Sequence, residues 1–352
     1  MAEYRSVAII LILCLITIFL IVQAVSAQDS LFDRLVLAQI HILPGSDWDR
    51  VAEVIERIKA AGFNGVIFRA FHNRGDRYHE LVGIEPDQGS AGVYFETKLA
   101  PTIADMLGPL SQICRDRDMK LFAWMTTRTM DWVDMPAALD RQFDEKTGSV
   151  VTSTRFDLFN SDFKMYLLGI LTDIARIGVD GIILQDDFTI KTREGFTPVA
   201  ISLFEQKSGL NLIPASMFEI VRTTSGKIYI RPRGTLFREW AVFKADYLAG
   251  FGAEIVAACK AVDPELQIGW NVYHDTALSP EDGLNWLSQD WSAVENAPFD
   301  LTLFMAYHRQ AAAERGMSVT EAIAALEPKA AELAKRLGDR LVLKLQMRDW
   351  QT

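Results

Sequence analysis

The sequence predicts an α/β fold, a (β/α)8 TIM-like barrel that is incomplete or truncated after its seventh strand. Three observations predict it. Short apolar runs alternate with longer amphipathic stretches along the body of the chain. Those runs are continuously apolar rather than alternating, as in a parallel sheet covered by helices. The strand-then-helix unit recurs to give seven strands, and no Gly/Ser-rich or Pro-rich linker divides residues 34–352, which favours one barrel over a doubly wound sheet.

The elements follow in order. Residues 34–43 (RLVLAQIHIL) are the first strand, ended by Pro44 and Gly45. Residues 47–61 form a helix, with Val51, Val54, Ile55 and Ile58 on one face. Gly62 stops it, and Asn64-Gly65 turns the chain into the second strand, VIFRAF. A helix over 103–117 leads into a third strand over 119–125, and a helix over 163–177 leads through Gly178 into a fourth over 179–184. Residues 237–262 are helical and precede the fifth strand at 266–272. The sixth strand is 299–306, the next helix 319–337, and the seventh strand 340–345. A closed barrel of this kind needs eight strands. The insert at 191–233 contains one further candidate, Lys227-Ile228-Tyr229-Ile230.

The N-terminus reads as a secretory signal peptide or membrane anchor over residues 1–27. A sixteen-residue run over 7–22, apolar except for Thr17, follows Arg5, and Val25-Ser26-Ala27 offers a small-x-small cleavage site. Extended through Val25, the run approaches the roughly 20 residues that span a bilayer. The body at 34–352 is therefore expected in the periplasm or outside the cell, cleaved or tethered. Its Cys114 and Cys259 make no disulfide framework. A formal charge of -10, from 36 Lys+Arg against 46 Asp+Glu, argues against nucleic acid as a partner, since phosphate neutralisation needs a basic face.

Chemistry in such barrels sits at the C-terminal ends of the strands, and polar residues collect there. They include His41 after the first strand, Arg69 and His72 at the second, and Trp124, Thr126, Thr127 and Arg128 at the third. The fifth gives Asn271, Tyr273 and His274, the sixth Tyr307, and the seventh Asp349 and Trp350. The sharpest feature is Asp186-Asp187 at the end of the fourth. Two adjacent carboxylates disfavour joint ionisation, so one is driven toward the proton affinity of a general acid, the starting material for glycoside hydrolysis. Strand parity groups Asp187 with Gln185, Ile183 and Gly181; Asp187 is expected as the acid or as an assisting carboxylate, with Asp186 as its neighbour or substitute. Trp124, Trp270 and Trp350 are candidates to stack on sugar rings, and His41, Arg69, Asn271, Tyr273, His274, Tyr307 and Asp349 to bind sugar polar groups. The sequence has no Walker A loop, dinucleotide fingerprint, G-x-S-x-G elbow or compact metal motif such as HExxH, and no cofactor is expected.

These residues bring a family into view. The run Val179-Asp180-Gly181-Ile182-Ile183-Leu184-Gln185-Asp186-Asp187 resembles the signature strand of the hydrolase-like domain in the poly-β-1,6-N-acetyl-D-glucosamine deacetylase PgaB family, with Gln185 where the family commonly has His. Residues 268–273, 303–307 and 344–350 are similar to further strands of that domain. The resemblance implies a glycoside-hydrolase-like barrel acting on partially deacetylated poly-N-acetylglucosamine, without the family's deacetylase domain, and in contact with exopolysaccharide export machinery. It maps the family's aspartate pair onto Asp186 and Asp187. The alternative is a non-catalytic carbohydrate-binding or export-accessory barrel.

Overall fold

The computed structural model describes residues 34–82, 89–223, 225–226 and 228–347. The chain divides into two units, Met1–Val36 and Leu37–Thr352, and every element named below belongs to the second. The leader at 1–27 and the expectations for Asp349 and Trp350 lie outside the described residues. Among the described residues, no helix is long and apolar enough to cross a membrane.

Seven strands pair in chain order into one parallel sheet. They are β1 (Leu37–Ile40), β2 (Gly65–Arg69), β3 (Lys120–Met125), β4 (Gly181–Leu184), β5 (Gln267–Tyr273), β6 (Leu301–Ala306) and β7 (Leu341–Leu345). The sheet curls through about 259°, an open barrel with a gap between β7 and β1. Of the candidate stretch 227–230, the described residues 228–230 do not fill that gap. Ile228–Pro232 pairs antiparallel with Phe218–Arg222 in a separate two-stranded ribbon. Its alternating burial is that of a half-solvated hairpin, whereas β2, β4 and β6 are buried along their whole length.

The helices are α1 (Trp48–Ala60), α2 (Leu107–Arg115), α3 (Ser161–Ile177), α4 (Pro198–Ser208), α5 (Gly234–Lys260), α6 (His274–Leu278), α7 (Pro280–Leu287), α8 (Trp291–Asn296), α9 (His308–Arg315) and α10 (Val319–Leu337). Their starts follow local chemistry. The Asp47 side chain accepts from Arg50 N at the head of α1, and Asn160 from Phe163 N at the head of α3. α1 buries Val51, Val54 and Ile55 against the sheet side. α2 begins later than the periodicity predicts because Ile103 N donates to Val93 O, holding that stretch extended. α3 ends where Gly178 takes φ 85, a left-handed conformation that glycine adopts without strain. Gly181 then opens β4 because nothing larger fits: a Cβ there would lie 2.5 Å from both the Phe122 ring and Gln267 O.

One excursion positions the site. Between β3 and α3 the chain forms a loop and then an antiparallel ribbon of Leu139–Asp144 with Ser149–Phe156, which the sequence pattern does not reveal.

Candidate active site

The two aspartates after β4 have opposite surroundings. β4 ends at Leu184 and the chain turns, so strand alternation no longer governs where the next side chains point. Asp187 is buried, and both its oxygens are taken. Oδ1 accepts from Thr127 N at 2.9 Å and Thr127 Oγ1 at 2.7 Å. Oδ2 accepts from Thr126 Oγ1 at 2.7 Å, Arg128 N at 2.8 Å and Thr129 N at 3.0 Å. This carboxylate gathers the loop after β3. Asp186 is only half-buried. Its Oδ2 accepts from the Tyr273 hydroxyl at 3.3 Å. Burial raises its pKa above the usual carboxylate range and the Asp187 charge adds to this, while Lys344 and the Tyr273 hydroxyl pull the other way. The orientation that parity assigns to Asp187 therefore belongs to Asp186.

Strands β5, β6 and β7 build the wall facing Asp186. Asn271 is buried, and its Nδ2 donates to Leu184 O at 2.6 Å. Its Oδ1 accepts from Lys344 Nζ at 2.9 Å. Lys344 Nζ also lies 5.7 Å from the Tyr307 ring centroid, within cation–π range. Burial brings the Lys344 ammonium down to about 8, with Asp186 opposing the fall. Burial, then the Asp186 charge, pushes the hydroxyls of Tyr273 and Tyr307 above their ordinary range, so both stay neutral at physiological pH. Gln289 fixes the exit of β5: Nε2 donates to Asn271 O at 2.9 Å and Oε1 accepts from Tyr273 N at 3.1 Å.

The opposite side comes from β1 to β3. His41 keeps part of its surface exposed and meets Trp124 edge-on at 4.9 Å. Burial of the rest of the ring, then the cations of Arg69 and Lys344, lowers its pKa. Arg69 is buried, ion-paired to Asp76 at 3.3 Å and donating to Arg77 O. Beside the Asp187-bound loop lies a cavity of about 590 Å³ whose lining includes Arg74, Asp131 and Trp132.

Other expected residues sit elsewhere. Trp270 is 1% exposed and packs against Phe188 at 5.7 Å and Phe299 at 5.2 Å, so it is a core residue and offers no face to a sugar. His274 is fully buried and turns toward Glu314 on α9 instead of joining Asn271 and Tyr273. His79 bridges β2 to the loop after β1, with Nδ1 accepting from Leu43 N at 2.8 Å and Nε2 3.1 Å from Arg69 O. Burial lowers its pKa to about 3. Sequence reasoning missed Lys344, Gln289 and Asp76. For Lys344 a signal existed, because it is the one charge inside the apolar run LVLKL.

Comparisons with known proteins agree with this architecture. The model described as hypothetical glycosyl hydrolase family 13 matches residues 47–352. Among solved structures, the PgaB (BpsB) glycoside hydrolase domain from Bordetella bronchiseptica matches with a TM-score of 0.69 at 21% identity, covering 90% of this chain and 85% of its own. That meets the resemblance read from the sequence at the level of fold. A β-galactosidase from Rahnella sp. R3 matches with a TM-score of 0.48 at 13% identity, covering 78% of this chain and 39% of its own, too remote to bear on the site. No curated protein sequence matches. The chain belongs to hypothetical glycosyl hydrolase family 13.

Proposed function

We propose that the protein is an exported, endo-acting glycoside hydrolase with Asp186 as its general acid, and that its substrate is an amino-sugar polysaccharide such as partially deacetylated poly-N-acetylglucosamine. The observation that carries this reading is the division between the aspartates: Asp187 is spent on the loop, while Asp186 is solvent-reachable with a raised pKa. A carboxyl in that state can protonate the leaving oxygen as the C1–O bond breaks. Tyr273 orients it, Asn271 holds Lys344 in place, and Tyr307 and Lys344 present polar atoms to the sugar. Two other carboxylates near strand ends are engaged, Asp76 by Arg69 and Asp275 by Arg315. A nucleophile supplied by the substrate suits such a site. The carbonyl oxygen of a 2-acetamido group attacks C1. Water then opens the ring so formed and gives its proton to the Asp186 carboxylate. His41, Trp124 and Arg69 line the opposite side, where an oligosaccharide would pass. The apolar leader and the likeness to a PgaB domain support a periplasmic or extracellular setting, an N-terminal tether where the leader is retained, and contact with polysaccharide export machinery.

The test is product analysis by mass spectrometry on partly deacetylated poly-N-acetylglucosamine. The wild-type protein is expected to release oligosaccharides. Asp186→Asn is expected to lower the rate by about 10²–10⁴-fold, the usual contribution of a positioned acid, with its thermal midpoint preserved. Undiminished cleavage by that variant rejects the assignment. Binding of the polymer by the wild type without products would replace the enzyme with a carbohydrate-binding accessory barrel.

A further inference from the structure

Away from Asp186, a second group of ligating side chains stands where β5 and β6 hand over to their helices. His274 and Asp275 open α6, and Glu314 lies in the last turn of α9. The three ligand atoms all lie within 4.8 Å of one another. His274 Nε2 is 3.2 Å from Glu314 Oε2 and 3.8 Å from Asp275 Oδ1.

The imidazole is the informative member. It is fully buried, and neither ring nitrogen has a hydrogen-bond partner. A buried polar atom left so costs about 1–3 kcal/mol, and such atoms in native proteins call for a specific explanation. The Glu314 carboxylate lies at ion-pair distance from Nε2 but outside hydrogen-bond geometry. That is where a neighbouring ligand of a shared ion stands. In a tetrahedral site with metal–ligand bonds of about 2.0–2.1 Å, ligand atoms are about 3.3 Å apart, close to the observed 3.2 Å.

The surroundings also suit an ion. Gln310 Nε2 donates to Glu314 Oε1 at 2.8 Å, which holds that carboxylate with Oε2 toward the histidine. Arg315 Nη2 contacts Asp275 Oδ1 at 2.5 Å, fixing the second carboxylate with that oxygen 3.8 Å from His274 Nε2. Such outer contacts orient metal ligands. The Asp275 and Glu314 side chains keep 26% and 48% of their surface exposed, a route for the ion from solvent. Two carboxylates against one guanidinium leave a net negative charge around the imidazole.

We propose that His274, Asp275 and Glu314 form a binding site for a divalent transition-metal ion of the zinc class, which ties the exit of β5 to α9. One imidazole with two carboxylates is a donor set for such ions rather than for the all-oxygen cations. The ion would brace the segments that carry Tyr273 and Tyr307. It takes no part in glycoside hydrolysis, so the site stands or falls independently of the proposed function.

The experiment uses the folded protein, stripped with a chelator, dialysed and titrated with Zn²⁺. Bound metal is measured by mass spectrometry and stability by thermal denaturation. One ion per chain is expected, with a rise in the thermal midpoint, and Glu314→Gln is expected to lose both. Glu314 is half exposed, so that variant should fold. A second variant, His41→Ala, removes an exposed histidine elsewhere and is expected to keep the ion. Failure of the wild type to hold zinc overturns the proposal. So does stoichiometric binding that Glu314→Gln leaves unchanged, or binding lost in His41→Ala.

Discussion

Asp186 can act as an acid only while it holds its proton, so the direction of its shift sets the pH behaviour of the protein. Burial and the Asp187 charge raise its pKa, and Lys344 lowers it. Hydrolysis should be present on the acid side and fall as pH rises through that raised pKa, a descending limb measurable in a pH–rate profile. Removing the Lys344 cation removes an influence that favours the ionised form. Lys344→Met should therefore move the descending limb to higher pH. An unmoved limb in a folded variant would show that Lys344 does not act on Asp186. Asp187 calls for a different measurement. Its charged oxygens satisfy five donors of residues 126–129, and hydrogen bonds to a charged group are worth about 1.5–3 kcal/mol each. Asp187→Asn keeps the shape but turns an NH₂ toward N–H and O–H donors. It should cost about 3 kcal/mol in denaturant unfolding, where Asp186→Asn costs little. The pair itself was legible in the sequence, as an apolar strand delivering two carboxylates. Which of them faces solvent was not, because β4 stops at Leu184 and alternation holds only within a strand.

The loop that Asp187 gathers is held from its other side by Arg128, which is fully buried. Its guanidinium contacts Asp140 Oδ2 at 2.5 Å, Glu194 Oε2 at 2.6 Å and Phe156 O at 2.8 Å. One side chain thus ties the end of β3 to both strands of the Leu139–Asp144/Ser149–Phe156 ribbon and to the segment after β4. Arg128→Met would leave two buried carboxylates without their counter-charge, a loss of about 3–5 kcal/mol that thermal or denaturant unfolding would register. A change under about 1 kcal/mol would mean water reaches those carboxylates. None of this was readable in advance. The partners of Arg128 lie 12 and 66 residues away, beyond any local pattern, and the ribbon is short and polar with no hairpin dipeptide. Helices α1, α2, α3, α5 and α10 were legible from their apolar patterns, with Gly178 as a stop after α3, whereas α4 and α6 to α9 were not read. Trp270 shows the converse failure. A tryptophan at a strand end has the same letter code whether it packs inward between Phe188 and Phe299 or lines a cleft.

The order of the seven strands around the barrel was fully legible, since parallel β/α units place successive strands side by side and the sheet follows chain order throughout. So was the open seam after the seventh strand, since seven such units are read along the sequence and no further described strand joins the sheet. The seam has a physical consequence. β7 pairs with β6 along one edge, and no described strand pairs with its other edge. Leu343 and Leu345 are 44% and 65% exposed there, and Met347 90%. An unpaired edge with apolar side chains is a template for association, opposed in this chain by the repulsion of a net charge of -10. The balance should shift with ionic strength: added salt screens the charge within about 10 Å at 0.1 M and leaves the apolar edge untouched. Self-association measured by light scattering should therefore rise with salt and with concentration. Leu345→Lys places a cation on the edge and should reduce that rise several-fold while leaving the unfolding free energy within about 0.5 kcal/mol, the usual range for an exposed site. If Leu345→Lys associates as strongly as the wild type at every salt concentration, the β7 edge is not the surface through which the molecules meet.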